Sequence, residues 1–201
     1  MLLTTDSMPS IRRLRTKYDV GLLIQPRMTG GVKACIEEGI PWAADNDAFN
    51  GFKVGQWLKM LGTIADKPGC LFVVAPDKVE DARETLRLFM QYAPIIRECN
   101  LPVAYVLQDG LEEVGVPWNL TDVVFVGGGT RFKMGNSAAW AVREAKERGK
   151  WVHMGRVNSL RRIEYAQSLG VDSIDGTKWT MYTNAWQHQL AALSHRQEAL
   201  Q

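Results

Sequence analysis

Short apolar runs recur along the chain. Each ends in a polar or glycine-rich tip, and most are followed by apolar residues at helical spacing. Residues 20–24 run into Gln25-Pro26-Arg27, and residues 42–44 into Asp45-Asn46-Asp47-Ala48-Phe49-Asn50. Residues 71–75 stop at Pro76-Asp77, residues 103–107 at Gln108-Asp109-Gly110, and residues 123–126 at Gly127-Gly128-Gly129-Thr130. Residues 151–153 lead into Met154-Gly155-Arg156, and the last run, from Gly170, closes at Asp175-Gly176.

Helical segments lie between these strands. The first opens at Gly30-Gly31, carries Val32, Cys35 and Ile36, and closes at Gly39. The second carries Phe52, Trp57, Leu58, Leu61 and Ile64. The clearest stripe is Val79, Ala82, Leu86, Phe89 and Ala93, with Pro94 expected to end it. Ser137 is the expected cap of a helix that stops at Gly149; Asn158 or Ser159 caps another, ending at Gly170 as its C′ residue. A final helix is expected over residues 184–200.

Seven strands alternating with helices predict an α/β fold: a short single-domain (β/α)8-type (TIM) barrel with trimmed insertions and a weak eighth strand. Residues 1–18 read as a basic N-terminal arm or a first helix, and residues 19–201 as the barrel. No dinucleotide fingerprint or Walker sequence follows the first strand. In such barrels the chemistry collects at the carboxyl ends of the strands, so the tips are the candidate site.

Composition adds little. Lys plus Arg number 24 against 22 for Asp plus Glu, so net charge names no partner. The basic residues are nevertheless clustered: Arg12, Arg13, Arg15 and Lys17, then Arg156, Arg161 and Arg162. Such clusters suit solvated faces or phosphates. Cys35, Cys70 and Cys99 form no metal-ligand spacing, so the expectation is a reducing compartment and no zinc. Residues 1–13 lack the apolar core of a signal peptide, no run approaches a membrane span, and a cytoplasmic protein is expected.

The tip residues have more than one reading. Asp175 suits a turn or cap, or a carboxylate nucleophile that forms a glycosyl ester; Asp45 would be its acid/base partner. Asp77, two residues before a helix, suits an N-cap or an acceptor for adjacent N–H groups of a purine. Gln108 is a solvated amide or a reader of a carbonyl and a ring nitrogen. Gly127 and Gly128 allow loop flexibility, a phosphate nest or close backbone approach to a ligand. Phe49 and Met154 suit core packing or a sandwich around a flat heterocycle. His153 reads as a core histidine, and His188 and His195 lack a third metal ligand.

In order along residues 20–180, these tips resemble the tRNA-guanine transglycosylase superfamily. That family's Asp-Ser-Gly-Gly-Phe-Gln loop aligns with residues 45–50, where Asp45 and Phe49 match and the glycines do not. Its base-reading aspartate matches Asp77, its glutamine Gln108, its Gly-Gly loop Gly127-Gly128, and the start of its Met-Gly-Val-Gly Met154-Gly155. Its Gly-Val-Asp-Met-Phe-Asp, ending in the nucleophile, aligns with residues 170–175. The family's Cys-rich zinc site is missing, since no cysteine follows Cys99. The chain is more similar to the small branch of phages and modification islands that puts 7-deazaguanines into DNA.

The resemblance implies a pentosyltransferase without cofactor. Asp175 would be the nucleophile and Asp45 the general acid/base. Phe49, Asp77, Gln108, Gly127, Gly128, Met154 and Gly155 would bind the base. Arg12, Arg13, Arg15, Arg156, Arg161 and Arg162 are the expected phosphate contacts. The expected partners are DNA and a 7-deazaguanine (preQ0-like) base, in the host cytoplasm if phage-encoded. Exchange on tRNA, and a non-catalytic barrel that binds purine or nucleic acid, stay open, as does a homodimer.

Overall fold

The computed structural model of the chain describes residues 1–176. Eight parallel strands close into a barrel: β1 (Leu2–Thr4), β2 (Val20–Ile24), β3 (Trp42–Ala44), β4 (Cys70–Val74), β5 (Val103–Leu107), β6 (Val123–Val126), β7 (Trp151–Met154) and β8 (Ser173–Asp175). Each strand pairs with the next in sequence, and β8 returns to β1. Helices cover the outside: α1 (Met8–Arg15), α2 (Val32–Glu37), α3 (Val54–Ile64), α4 (Ala82–Glu98), α5 (Leu111–Val114), α6 (Thr130–Lys133), α7 (Asn136–Glu147) and α8 (Leu160–Ser168). This is the (β/α)8 architecture expected from the sequence.

Two apolar layers follow from strand alternation. Leu3, Leu23, Ala43, Phe72, Val74, Ala104, Val106 and Val123 point inward and fill the barrel. Their neighbours, such as Leu22, Trp42, Val73, Tyr105 and Val124, point outward under the helices. The crossover from β5 to β6 shows how the barrel fits into so short a chain. It contains only the four-residue α5 and a 3-10 turn, Trp118–Leu120.

Several expectations are corrected. Residues 1–18 are not an arm: they hold a strand and then α1, the first helix of the alternative reading. Leu2–Thr4 is the missing eighth strand, and Leu3 pairs with Asp175 to close the sheet. Three residues are too few to display a period, so the strand is hidden in the sequence. Pro94 does not end its helix, because α4 continues to Glu98. Pro94 is on the exposed side, so the carbonyl it leaves unpaired faces water, while Ala93 and Ile96 keep the buried stripe going. Gly135, not Ser137, is the N-cap of α7. Leu58 of α3 is exposed rather than buried. The helix expected over residues 184–200 lies outside the described residues. Among the described residues no helix is long and apolar enough to cross a membrane.

Candidate active site

A cavity of about 500 Å3 opens at the carboxyl ends of the strands, a size suited to a small ligand. All eight strands or their tips contribute to its wall, among them Thr4, Gln25, Asp45, Asp77, Gln108, Gly127, Gly155 and Asp175. The inward parity of the barrel explains the set. Asp175 follows Ser173, Gln25 follows Leu23, and Gln108 follows Val106, each two residues further along the same face.

Asp77 is buried and is no helix cap. Asp81 caps α4 instead, its side chain accepting from the Glu84 N–H at 2.9 Å. Asp77 accepts from Asn46 Nδ2 at 2.7 Å and from Gln108 Nε2 at 2.6 Å. Gln108 in turn accepts from the Glu80 N–H at 2.9 Å, which fixes the orientation of its amide. Asn46 also donates to the Ala75 carbonyl at 2.7 Å and accepts from the Ala48 N–H at 2.8 Å. Gln108 is therefore in the site, but its amide first orients Asp77. Burial raises the proton affinity of Asp77, and the two amides oppose that rise.

Asp45 lies deeper in the charge field. Burial, then the charges of Asp175 and Asp77, push its carboxyl up to about 7. One oxygen accepts from the Asn46 N–H at 2.8 Å; Gln25 Nε2 lies at 3.5 Å from the other. The loop after it, residues 46–50, turns without a glycine. Asp47 takes φ +60°, a left-handed conformation that Asp tolerates better than most residues. The following 3-10 turn, Ala48–Asn50, leaves Phe49 67% exposed at the rim.

Asp175 faces it from β8, three strands away around the barrel. Its Oδ1 accepts from the Arg156 N–H at 2.8 Å, and its Oδ2 is 2.9 Å from His153 Nε2. Arg156 is held at φ +57°. Its guanidinium donates to the Gly128 carbonyl at 3.0 Å and lies over the Phe49 ring, 4.5 Å from the centroid. Lys133 is buried beside them and donates to the Gly155 carbonyl at 2.8 Å. Burial and the neighbouring Arg156 pull its ammonium down to about 8.

The glycines fit tightly. A Cβ on Gly127 would lie 2.6 Å from Val106 Cγ1 and 2.9 Å from Gln108 Nε2. One on Gly155 would lie 2.7 Å from the Phe125 ring. Side chains at these positions would displace the pocket wall. Among the described residues no group of three or more His, Cys, Asp or Glu is arranged to hold a metal ion.

Met154, Arg12, Arg13, Arg15, Arg161 and Arg162 are expected site residues that do not line the pocket. Met154 is fully buried in the layer between barrel and helices. Adjacent strand residues face opposite sides, so the inward position belongs to His153. Arg12, Arg13 and Arg15 lie on α1, toward the amino-terminal ends of the strands. Arg12 binds Glu38 through two nitrogens, and Arg15 donates to the Val20 carbonyl at the start of β2. They are at the wrong end to hold a nucleotide in the cavity. Arg161 and Arg162 begin α8 on the pocket side, and Arg162 donates to the Arg156 carbonyl and to Thr130 Oγ1.

Asn46 and Lys133 line the pocket without a role assigned from the sequence, while His153, read as a core histidine, is buried with both ring nitrogens bonded. Parity along β7 would have found His153, two residues before Gly155 on the same face. No periodic signal marks Lys133 or Asn46. No protein-family model matches the chain, and no curated protein matches it.

Proposed function

We propose that this barrel exchanges guanine for a 7-deazaguanine base in nucleic acid through a covalent glycosyl-aspartate. One observation carries the reading: Asp45 and Asp175 line the same cavity from separate strands, in environments that treat them differently. Asp45 is held near the pH at which it can both give and take a proton. Asp175 is held at both oxygens, by the Arg156 N–H and by His153 Nε2, and faces the pocket. Two carboxylates with divided roles are what substitution at an anomeric carbon with retention requires.

The target nucleotide leaves the stack to enter the barrel mouth. An Asp175 oxygen attacks C1′, the C1′–N9 bond breaks, and its electron pair departs with guanine, which takes the proton of Asp45. The incoming deazapurine gives its N9 proton back to Asp45 and attacks C1′. The C1′–oxygen bond breaks, and its pair returns to Asp175. Asp77, seated between two amides, would accept from the N–H edge of the base, with Phe49 and the Gly127-Gly128 backbone beside it. Arg156, Arg161 and Arg162 would meet phosphates at the rim. DNA is favoured as the polymer by the resemblance to the small deazaguanine-inserting branch.

The test is direct. Labelled guanine is incubated with the protein and duplex DNA, single-stranded DNA or tRNA. Label should enter DNA. Label entering tRNA alone would transfer the reading to the tRNA reaction. Label entering no polymer, with guanine or preQ0-like bases, would leave only a binding role.

A further inference from the structure

We propose that His153 is a positioning residue for Asp175, with its tautomer set by a hydrogen-bond relay that starts at Trp151 and passes through Ser173. The inference rests on the nucleophile assignment made above and adds the machinery behind it.

The relay is continuous. Trp151 Nε1 is 3.0 Å from Ser173 Oγ, Ser173 Oγ is 2.9 Å from His153 Nδ1, and His153 Nε2 is 2.9 Å from Asp175 Oδ2. With a neutral imidazole and an ionised Asp175, the donors and acceptors have one consistent direction. An indole nitrogen only donates, so Ser173 Oγ accepts from Trp151. The hydroxyl proton of Ser173 is then free to point at His153 Nδ1, which accepts it with its lone pair. The ring proton resides on Nε2 and is donated to the Asp175 carboxylate, which only accepts.

Strand geometry builds this device. His153 on β7 is paired in register with Ser173 on β8, and Asp175 is two residues on from Ser173, on the same inward face. One imidazole spans the gap between them. Phe72 and Phe125 hold the ring in place, with centroids 5.2 and 4.7 Å away. His153 and Ser173 are both buried, so bulk water does not compete for the two ring nitrogens.

The consequence for the chemistry is twofold. With Arg156 N–H on Oδ1 and His153 Nε2–H on Oδ2, the carboxylate has a single orientation toward the pocket. In the second half of the exchange, negative charge returns to Asp175 as the C1′–oxygen bond breaks. The same two donors face it there, where they stabilise the departing carboxylate. His153 touches no substrate atom in this scheme and acts only through Asp175.

The experiment pairs spectroscopy with kinetics. Nitrogen-15 NMR of the imidazole in the free protein should show a proton on Nε2 and a bare, hydrogen-bonded Nδ1. Ser173→Ala removes the group that enforces this and should lower kcat for exchange by roughly 10-fold with KM unchanged, in line with losses on removing a histidine's orienting partner. Trp151→Phe should lower kcat less. His153→Gln, which can place an amide N–H near the old Nε2, should restore part of the rate that His153→Leu loses. A wild-type ring protonated at Nδ1, or Ser173→Ala exchanging at the wild-type rate, overturns the proposal. A wild-type protein that shows the Nε2–H signature yet no exchange supports the relay and overturns the proposed function instead.

Discussion

The two halves of the pocket use their carboxylates differently. On the side of β3 to β5, Asp77 is seated between the amides of Asn46 and Gln108, which are themselves tied to backbone groups. On the side of β6 to β8, Asp175 is held by a histidine and a backbone N–H, with Lys133 and Arg156 nearby. The first arrangement is built from amides, with Arg156 as its charged neighbour, and suits recognition of N–H groups. The second surrounds its acid with donors and cations and suits charge that appears and disappears. Asp45 lies between, where both other acids raise its proton affinity. The position of an aspartate on a strand tip therefore does not by itself tell its role; its partners do.

The contrast is broken most severely at Asp175. Asp175→Asn keeps the shape and can still accept at one oxygen, but it cannot form the ester. Exchange should fall by about 10^4-fold or more, as when nucleophiles are removed from other covalent catalysts, with nucleic-acid binding kept. Exchange near the wild-type rate would remove the nucleophile from the scheme.

On the other side, Asp77→Ala should lower kcat/KM roughly 10²-fold, the loss of about two hydrogen bonds to a charged group, mainly through KM for the base. It should also strand the amide N–H groups of Asn46 and Gln108, at about 1–3 kcal/mol of stability. Asp81→Ala sharpens the comparison. It removes the true cap of α4, costing about 1 kcal/mol, and should leave exchange intact. Equal exchange in the two variants would mean that Asp77 reads nothing.

Asp45 gives the pH signature. Its folded proton affinity is raised, from an ordinary value of 3.8 to about 7. The folded state thus binds this proton more tightly than the unfolded chain. Its penalty is absent below about pH 4, grows as pH rises through the interval, and is complete above about pH 7. Asp45→Asn should therefore raise the melting temperature at pH 8 more than at pH 5, by an amount corresponding to about 1–4 kcal/mol. Because the first step needs Asp45 protonated, wild-type kcat/KM should fall above about pH 7. A fall below pH 7 instead would make Asp45 the base of the first step.

Much of this was legible in the sequence because buried parallel strands are unbroken apolar runs. The expected bounds of β5 and β6 match the observed ones at both ends. Asp45, Asp77, Gln108, Gly127, Gly155 and Asp175 all reached the cavity. What failed had local causes. Leu2–Thr4 is too short to show a pattern, and its partner β8 is distant in sequence. Met154 follows the resemblance, whereas parity along β7 turns it away from the pocket. The roles of Asn46 and Lys133 exist only once three or four tips converge, and no local spacing encodes that.

The smallest expected effect separates the two arginine clusters, which the sequence treats as equals. Arg161 and Arg162 begin α8 at the pocket rim, while Arg12 and Arg13 ride on α1 toward the opposite end. If phosphates run across the rim, Arg161→Gln with Arg162→Gln should flatten the dependence of log K on log salt. The expected change is about 0.7–0.9 of slope per lost contact, alike for all sequences. Arg162 also donates to the Arg156 carbonyl and to Thr130. The single Arg161→Gln, at an exposed position, must therefore show its share of the change without any loss of melting temperature. Arg12→Gln with Arg13→Gln breaks the contact to Glu38 but should leave both the salt slope and exchange unchanged. The measurement is a set of binding isotherms between about 50 and 200 mM salt. Should the α1 pair flatten the slope and the α8 pair leave it alone, the nucleic acid approaches the other end of the barrel, and a nucleotide could not reach Asp175.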